Sequence, residues 1–117
     1  MKRTLLMKQL STFFETFLPE HQKRSENTIN AYSDSFKLLF RFLEEKKNIP
    51  HYLFDYKHFT PQLIDEFILW MENDLHYSAS SKRARMSAIT SFLKYASRRE
   101  MKALIACNTT HSYPLFR

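Results

Sequence analysis

Not one of the 117 residues is glycine, and that absence constrains the fold more than any other feature of the chain. Glycine takes positive φ without steric cost, so a chain lacking it is poorly suited to the tight primed turns of β-hairpins. It is equally unsuited to the glycine-rich loops that cradle phosphates. Apolar residues recur instead at steps of three and four through four separate stretches, which predicts amphipathic helices. With 44% hydrophobic residues and eleven Phe, the chain has material for the core of one domain and does not read as disordered.

The first helix is predicted from about Thr4 to Leu18, with Leu6, Leu10, Phe13, Phe14 and Phe17 inward. Pro19 is expected to end it, because the residue before a proline disfavours the α region. Ser25 or Asn27 then caps a long second helix reaching about Lys47. Its main stripe is Ile29, Tyr32, Phe36, Leu39, Phe40 and Leu43, and Ala31, Leu38 and Phe42 extend it well round the cylinder. Such a helix is central in its bundle, or else offers a patch to a partner. Residues 48 to 59 carry Tyr52, Phe54, Tyr56 and Phe59 and read as an ordered lid. Thr60 and Pro61 supply the N-cap and first position of a third helix, with Leu63, Ile64, Phe67, Trp70, Met71 and Leu75 buried. Its charges are all acidic: Asp65, Glu66, Glu72 and Asp74. A fourth helix is predicted from about Ser80 to Lys102, and residues 103 to 117 form a tail or the start of a linker.

Charge is distributed unevenly along this frame. Before Ser78 there are ten Lys and Arg against eleven Asp and Glu; from Ser78 onward there are eight basic residues and one acid, Glu100. The net +6 therefore resides in the C-terminal third, the layout of a protein that grips a polyanion on one side. On the fourth helix, Met86, Ile89, Phe92, Leu93 and Ala96 form the apolar stripe. Ser80, Arg83, Ser87, Thr90, Lys94 and Arg98 fall opposite it, within a sector of about 80°. Long cations alternating with small hydroxyls suit a helix lying on a phosphate backbone. The competing account is an ordinary solvated face, and the third helix, being acidic, is expected to face away from any nucleic acid.

The succession of these features resembles the N-terminal core-binding (SAM-like) domain of the tyrosine recombinase, or phage integrase, family. The resemblance rests on Ser25-Glu26-Asn27-Thr28-Ile29-Asn30-Ala31-Tyr32 with Phe36, Phe40 and Phe42-Leu43, then Thr60-Pro61 with Ile64 and Phe67. It continues in Ser78-Ala79-Ser80-Ser81 and in Arg85-Met86-Ser87-Ala88-Ile89 with Phe92 and Tyr95-Ala96, covering about residues 8 to 100. It implies an all-α, SAM-like four-helix domain over residues 1–102, forming half of a clamp around duplex DNA. In that family the second and fourth helices face the DNA. The implied DNA-binding positions here are Lys23, Arg24, Asn27 and Thr28, together with Ser80, Lys82, Arg83, Ser87, Thr90, Lys94 and Arg98. Many relatives carry Arg where this chain has Thr90, and the residues after Lys102 depart from the family's usual linker.

The same resemblance implies that the catalytic Arg, His-x-x-Arg and Tyr nucleophile belong to a separate C-terminal domain, a partner absent from this chain, so the chain itself is not expected to be an enzyme. His21-Gln22-Lys23-Arg24 spells His-x-x-Arg and Tyr113 lies near the C-terminus, but His21 falls between the first two helices, outside any catalytic context. Cys107-x-x-x-His111 is at most half a zinc site, and no cofactor or metal is expected. A lone cysteine forbids an internal disulfide and fits a reducing cytoplasm. No stretch is long and apolar enough to span a bilayer, so no membrane partner is expected. The isolated domain is expected to be a monomer, and the full-length protein to assemble on DNA. Two other readings remain open: a free-standing helical DNA-binding regulator or recombination accessory protein, and a protein-interaction bundle that docks an acidic partner through its basic helix.

Overall fold

The computed structural model describes residues 3–111, and among them every regular element is helical. By internal contacts the chain divides into two compact units, Met1–Asp55 and Tyr56–Arg117.

The first unit opens with α1, Leu5–Thr12. Thr4 caps it, its hydroxyl accepting from Met7 N at 3.2 Å and donating to the Phe54 carbonyl at 2.7 Å. Leu6 N donates to Asp55 Oδ1 at 3.3 Å, so the helix start is tied to the end of the unit. From Phe13 to His21 the helix widens to π winding and carries Pro19 inside it. The expected stop at Leu18 is therefore corrected by three residues. A proline ring ordinarily collides with the carbonyl four residues back, and the wider π turn relieves that clash. The winding closes with Gln22 N donating to Phe17 O at 2.8 Å.

Next comes α2, Glu26–Lys46, capped by Ser25, whose hydroxyl accepts from Thr28 N at 3.2 Å. It buries Phe36, Leu39, Phe42 and Leu43 while Ala31 stays exposed, so Phe42 belongs to the core. The unit is held by a run of aromatic contacts: Phe13 stacks on Phe17 and Tyr32, Phe14 meets Phe36 edge-on, and Phe40 does the same to Phe54. Such pairs add about 0.5–1.5 kcal/mol each beyond area burial. Two short 3₁₀ turns, His51–Leu53 and Tyr56–His58, order the segment that the rings predicted would be ordered.

In the second unit, α3 spans Pro61–Asn73, with Thr60 accepting from Leu63 N at 3.2 Å. It buries Leu63, Ile64, Phe67, Ile68, Trp70 and Met71. Then α4, Ala79–Ser97, starts from Ser78, whose hydroxyl accepts from Ser81 N at 3.2 Å. It ends five residues sooner than predicted. Arg99 N and Glu100 N both fold back onto Ala96 O, and the Arg99 guanidinium donates to Tyr95 O at 2.9 Å while lying 4.1 Å from the Tyr95 ring. Glu100 starts a fifth helix, α5, Met101–His111: its carbonyl accepts from Ala103 N and Leu104 N, and its carboxylate accepts from Lys102 N. Residues expected as tail are thus helical up to His111. α5 packs chiefly on α4 through the small buried residues Ala103, Ala106 and Cys107, which permit close approach. Thr110, fully buried, returns its hydroxyl to Ala106 O at 2.9 Å.

Candidate nucleic-acid interface

The cap at Ser78 and the burial of α4 together fix which of its residues reach solvent. Phe92, Leu93 and Ala96 are fully buried, and Met86, Ala88 and Ile89 nearly so. Tyr56 stacks on Phe92 at 6.4 Å. This burial leaves a narrow exposed sector that holds Ser80, Arg83, Ser87, Lys94 and Arg98. Among the described residues Arg83, Lys94 and Arg98 carry no ion pair. Ala84 is exposed and Ser91 half-buried on the same side, so little bulk stands between the cations. Thr90, half-buried, donates its hydroxyl to Met86 O at 2.8 Å, which satisfies it locally.

Lys82 does not join that face. It is 7% exposed, and its ammonium lies 3.2 Å from Glu72 Oε1 on α3. The signal was present in the periodicity: Lys82 lies about 200° round from Ser80, between Ile89 and Leu93 on the apolar arc. Two further cations are engaged inside the second unit. Arg85 is half-buried with its guanidinium 6.0 Å from the Tyr77 ring, and Arg99 covers Tyr95. Glu72, the partner of Lys82, is the residue that sequence reasoning missed.

The other candidate positions lie in the first unit. Lys23, Arg24 and Asn27 are exposed at the turn into α2, and Thr28 is half-buried with its hydroxyl accepting from Ser25 Oγ at 3.0 Å. Lys23 sits at φ 50°. Arg24 immediately precedes the Ser25 cap, where the amide end of α2 adds its partial positive charge.

His21 closes the π winding with its ring stacked on Phe17 at 6.2 Å, and Tyr113 lies outside the described residues. No three His, Cys, Asp or Glu side chains among the described residues could hold a metal ion. Cys107 is buried, which pushes its thiol pKa up against the opposing influence of the Lys94 charge. No helix among the described residues is long and apolar enough to cross a membrane.

Residues 12–100 match the family described as phage integrase, N-terminal SAM-like domain. A Sinorhizobium fredii protein named as an integrase/recombinase is 32% identical over 95 residues, which is 81% of this chain and 29% of that protein. The chain thus spans under a third of the length of this relative. No solved structure matches it.

Proposed function

The chain belongs to the family of phage integrase N-terminal SAM-like domains, and on that premise we propose that it binds duplex DNA as the non-catalytic half of a site-specific recombinase. The observation that carries this reading is the exposed cationic sector of α4, where Arg83, Lys94 and Arg98 stand free of ion pairs among the described residues and alternate with Ser80 and Ser87. Cations reach phosphates, and small hydroxyls let the helix axis approach the backbone. Lys23, Arg24 and Asn27 at the start of α2 supply a second group of contacts. The acidic α3 stays away from the DNA. Strand cleavage and joining belong to a catalytic domain elsewhere in the full-length protein, which acts in the cytoplasm and assembles on its recombination site.

The test is salt dependence. If Lys23, Arg24, Arg83, Lys94 and Arg98 each neutralise one phosphate, log affinity for a duplex falls against log salt with a slope of about −4.5. A slope near zero would contradict phosphate binding. A covalent protein–DNA adduct on supercoiled DNA would contradict the non-catalytic assignment.

A further inference from the structure

Glu72 and Lys82 each occupy a helix end where the backbone dipole disfavours their charge. Glu72 lies in the last turn of α3, near its carbonyl end, and Lys82 lies four residues into α4, near its amide end. The Lys82 side chain is 9% exposed and that of Glu72 51%, with 3.2 Å between Nζ and Oε1. Neither charge is where the helices alone would put it, so the pair exists for the contact between them.

That contact has geometric value. α4 packs chiefly on α5 and only lightly on α3, and apolar burial is non-directional. It therefore resists separation of the helices better than rotation of one against the other. An ion pair with one buried member is directional, because turning α4 would leave the Lys82 ammonium desolvated and uncompensated. Lys82 projects from the apolar side of α4, about 100–160° round the helix from Arg83, Ser87, Lys94 and Arg98. Fixing one side of a helix fixes the direction of the other.

We propose that Lys82 is a positioning residue: through Glu72 it sets the rotation of α4, and so presents Arg83, Ser87, Lys94 and Arg98 to DNA without touching the DNA itself. This rests on the DNA-binding reading above. Removing the acid gives a test of sign. Glu72→Gln adds one positive charge to the chain, so net electrostatics alone would tighten duplex binding. Positioning by the pair instead weakens it, by roughly two- to thirtyfold, the range of indirect effects on a distant site. The exchange Glu72→Lys/Lys82→Glu keeps the net charge and places both charges favourably for their helix dipoles, so it restores native affinity. A Lys82 that itself held a phosphate would be lost in the exchange variant, whose salt slope would then fall in magnitude by about 0.9; with Lys82 away from the DNA and the tie kept, the exchange retains the native slope. Tighter or unaltered binding by Glu72→Gln, failure of the exchange to restore affinity, or a reduced slope in the exchange variant would each overturn the inference. The melting temperature of the exchange variant is a readout independent of DNA: a value at or above native supports interchangeable charges, and a variant that does not fold contradicts them. If the native chain itself fails to bind duplex, the functional reading falls, and the melting comparison still judges the pair.

Discussion

The Met71 carbonyl accepts the Tyr77 N–H at 3.0 Å from six residues downstream, and between them His76 adopts φ 56°. The same arrangement occurs twice more. Arg24 N reaches Leu18 O at 2.9 Å around Lys23 at φ 50°, and Ile49 N reaches Leu43 O at 3.0 Å around Asn48 at φ 56°. These are helix C-terminal caps of the kind glycine usually supplies. A glycine-free chain makes them with residues that carry a Cβ, at a steric cost.

Relieving that cost stabilises the fold. His76→Gly is expected to raise unfolding free energy by roughly 0.5–1 kcal/mol, the left-handed penalty less the greater chain entropy of glycine. Lys23→Gly behaves similarly, and Asn48→Gly gains least because asparagine tolerates this region. Urea midpoints at constant m-value measure it; a loss of stability at His76 would show that its side chain contributes more than its backbone costs.

The junction after α2 carries a pH-dependent tie. His51 holds the Glu44 carboxyl below its ordinary value of 4.5, first through the hydrogen bond from its ring, with Nδ1 3.0 Å from Oε1, and then through its backbone N–H. A carboxyl with a lowered folded pKa stabilises above its unfolded pKa and loses that contribution as pH falls through the folded value. Glu44→Gln should therefore be less stable than native at pH 6, with the gap narrowing below about pH 4.5. Parallel denaturation curves across that window check it, and a constant gap would contradict the pairing.

Alkylation of Cys107 reports on α5. The thiol is buried among small residues packed on α4 and its pKa is pushed up by burial, so both access and thiolate fraction are low. Iodoacetamide at pH 8 should label the native chain far more slowly than the urea-unfolded chain. Equal rates would mean that α5 does not stay on α4.

The cap at Thr60 was legible, and Ser25 was one of two candidates with Asn27, because each precedes a regular apolar stripe; both hydroxyls accept the N–H three residues on, as Ser78 also does just ahead of the fourth helix read from about Ser80. α5 was not legible as a separate helix. It buries Ala103, Ala106 and Cys107 while leaving Met101 68% and Ile105 62% exposed, so its hydrophobicity shows no contrast between faces. The break before it depends on Arg99 bonding Tyr95 and Glu100 capping Lys102, side-chain choices that periodicity does not register. Pro19 misled for a related reason, since π winding is a property of the backbone path. In the candidate site, Arg83, Lys94 and Arg98 followed from helical spacing, whereas Lys82 entered only with the positions the family resemblance implied, although the wheel places it between Ile89 and Leu93.

Two charge-matched triple reversals separate a DNA-binding face on α4 from positive charge alone. Arg83, Lys94 and Arg98 changed together to Glu alter net charge as much as Lys8, Lys37 and Lys57 changed together to Glu, and all six side chains are exposed. Duplex affinity of both variants is measured by fluorescence anisotropy at one salt concentration, with far-UV circular dichroism confirming native helicity. The α4 reversal is expected to abolish binding, and the second reversal to leave most of it. Equal losses in the two variants would contradict a DNA-binding face on α4 and leave only nonspecific attraction.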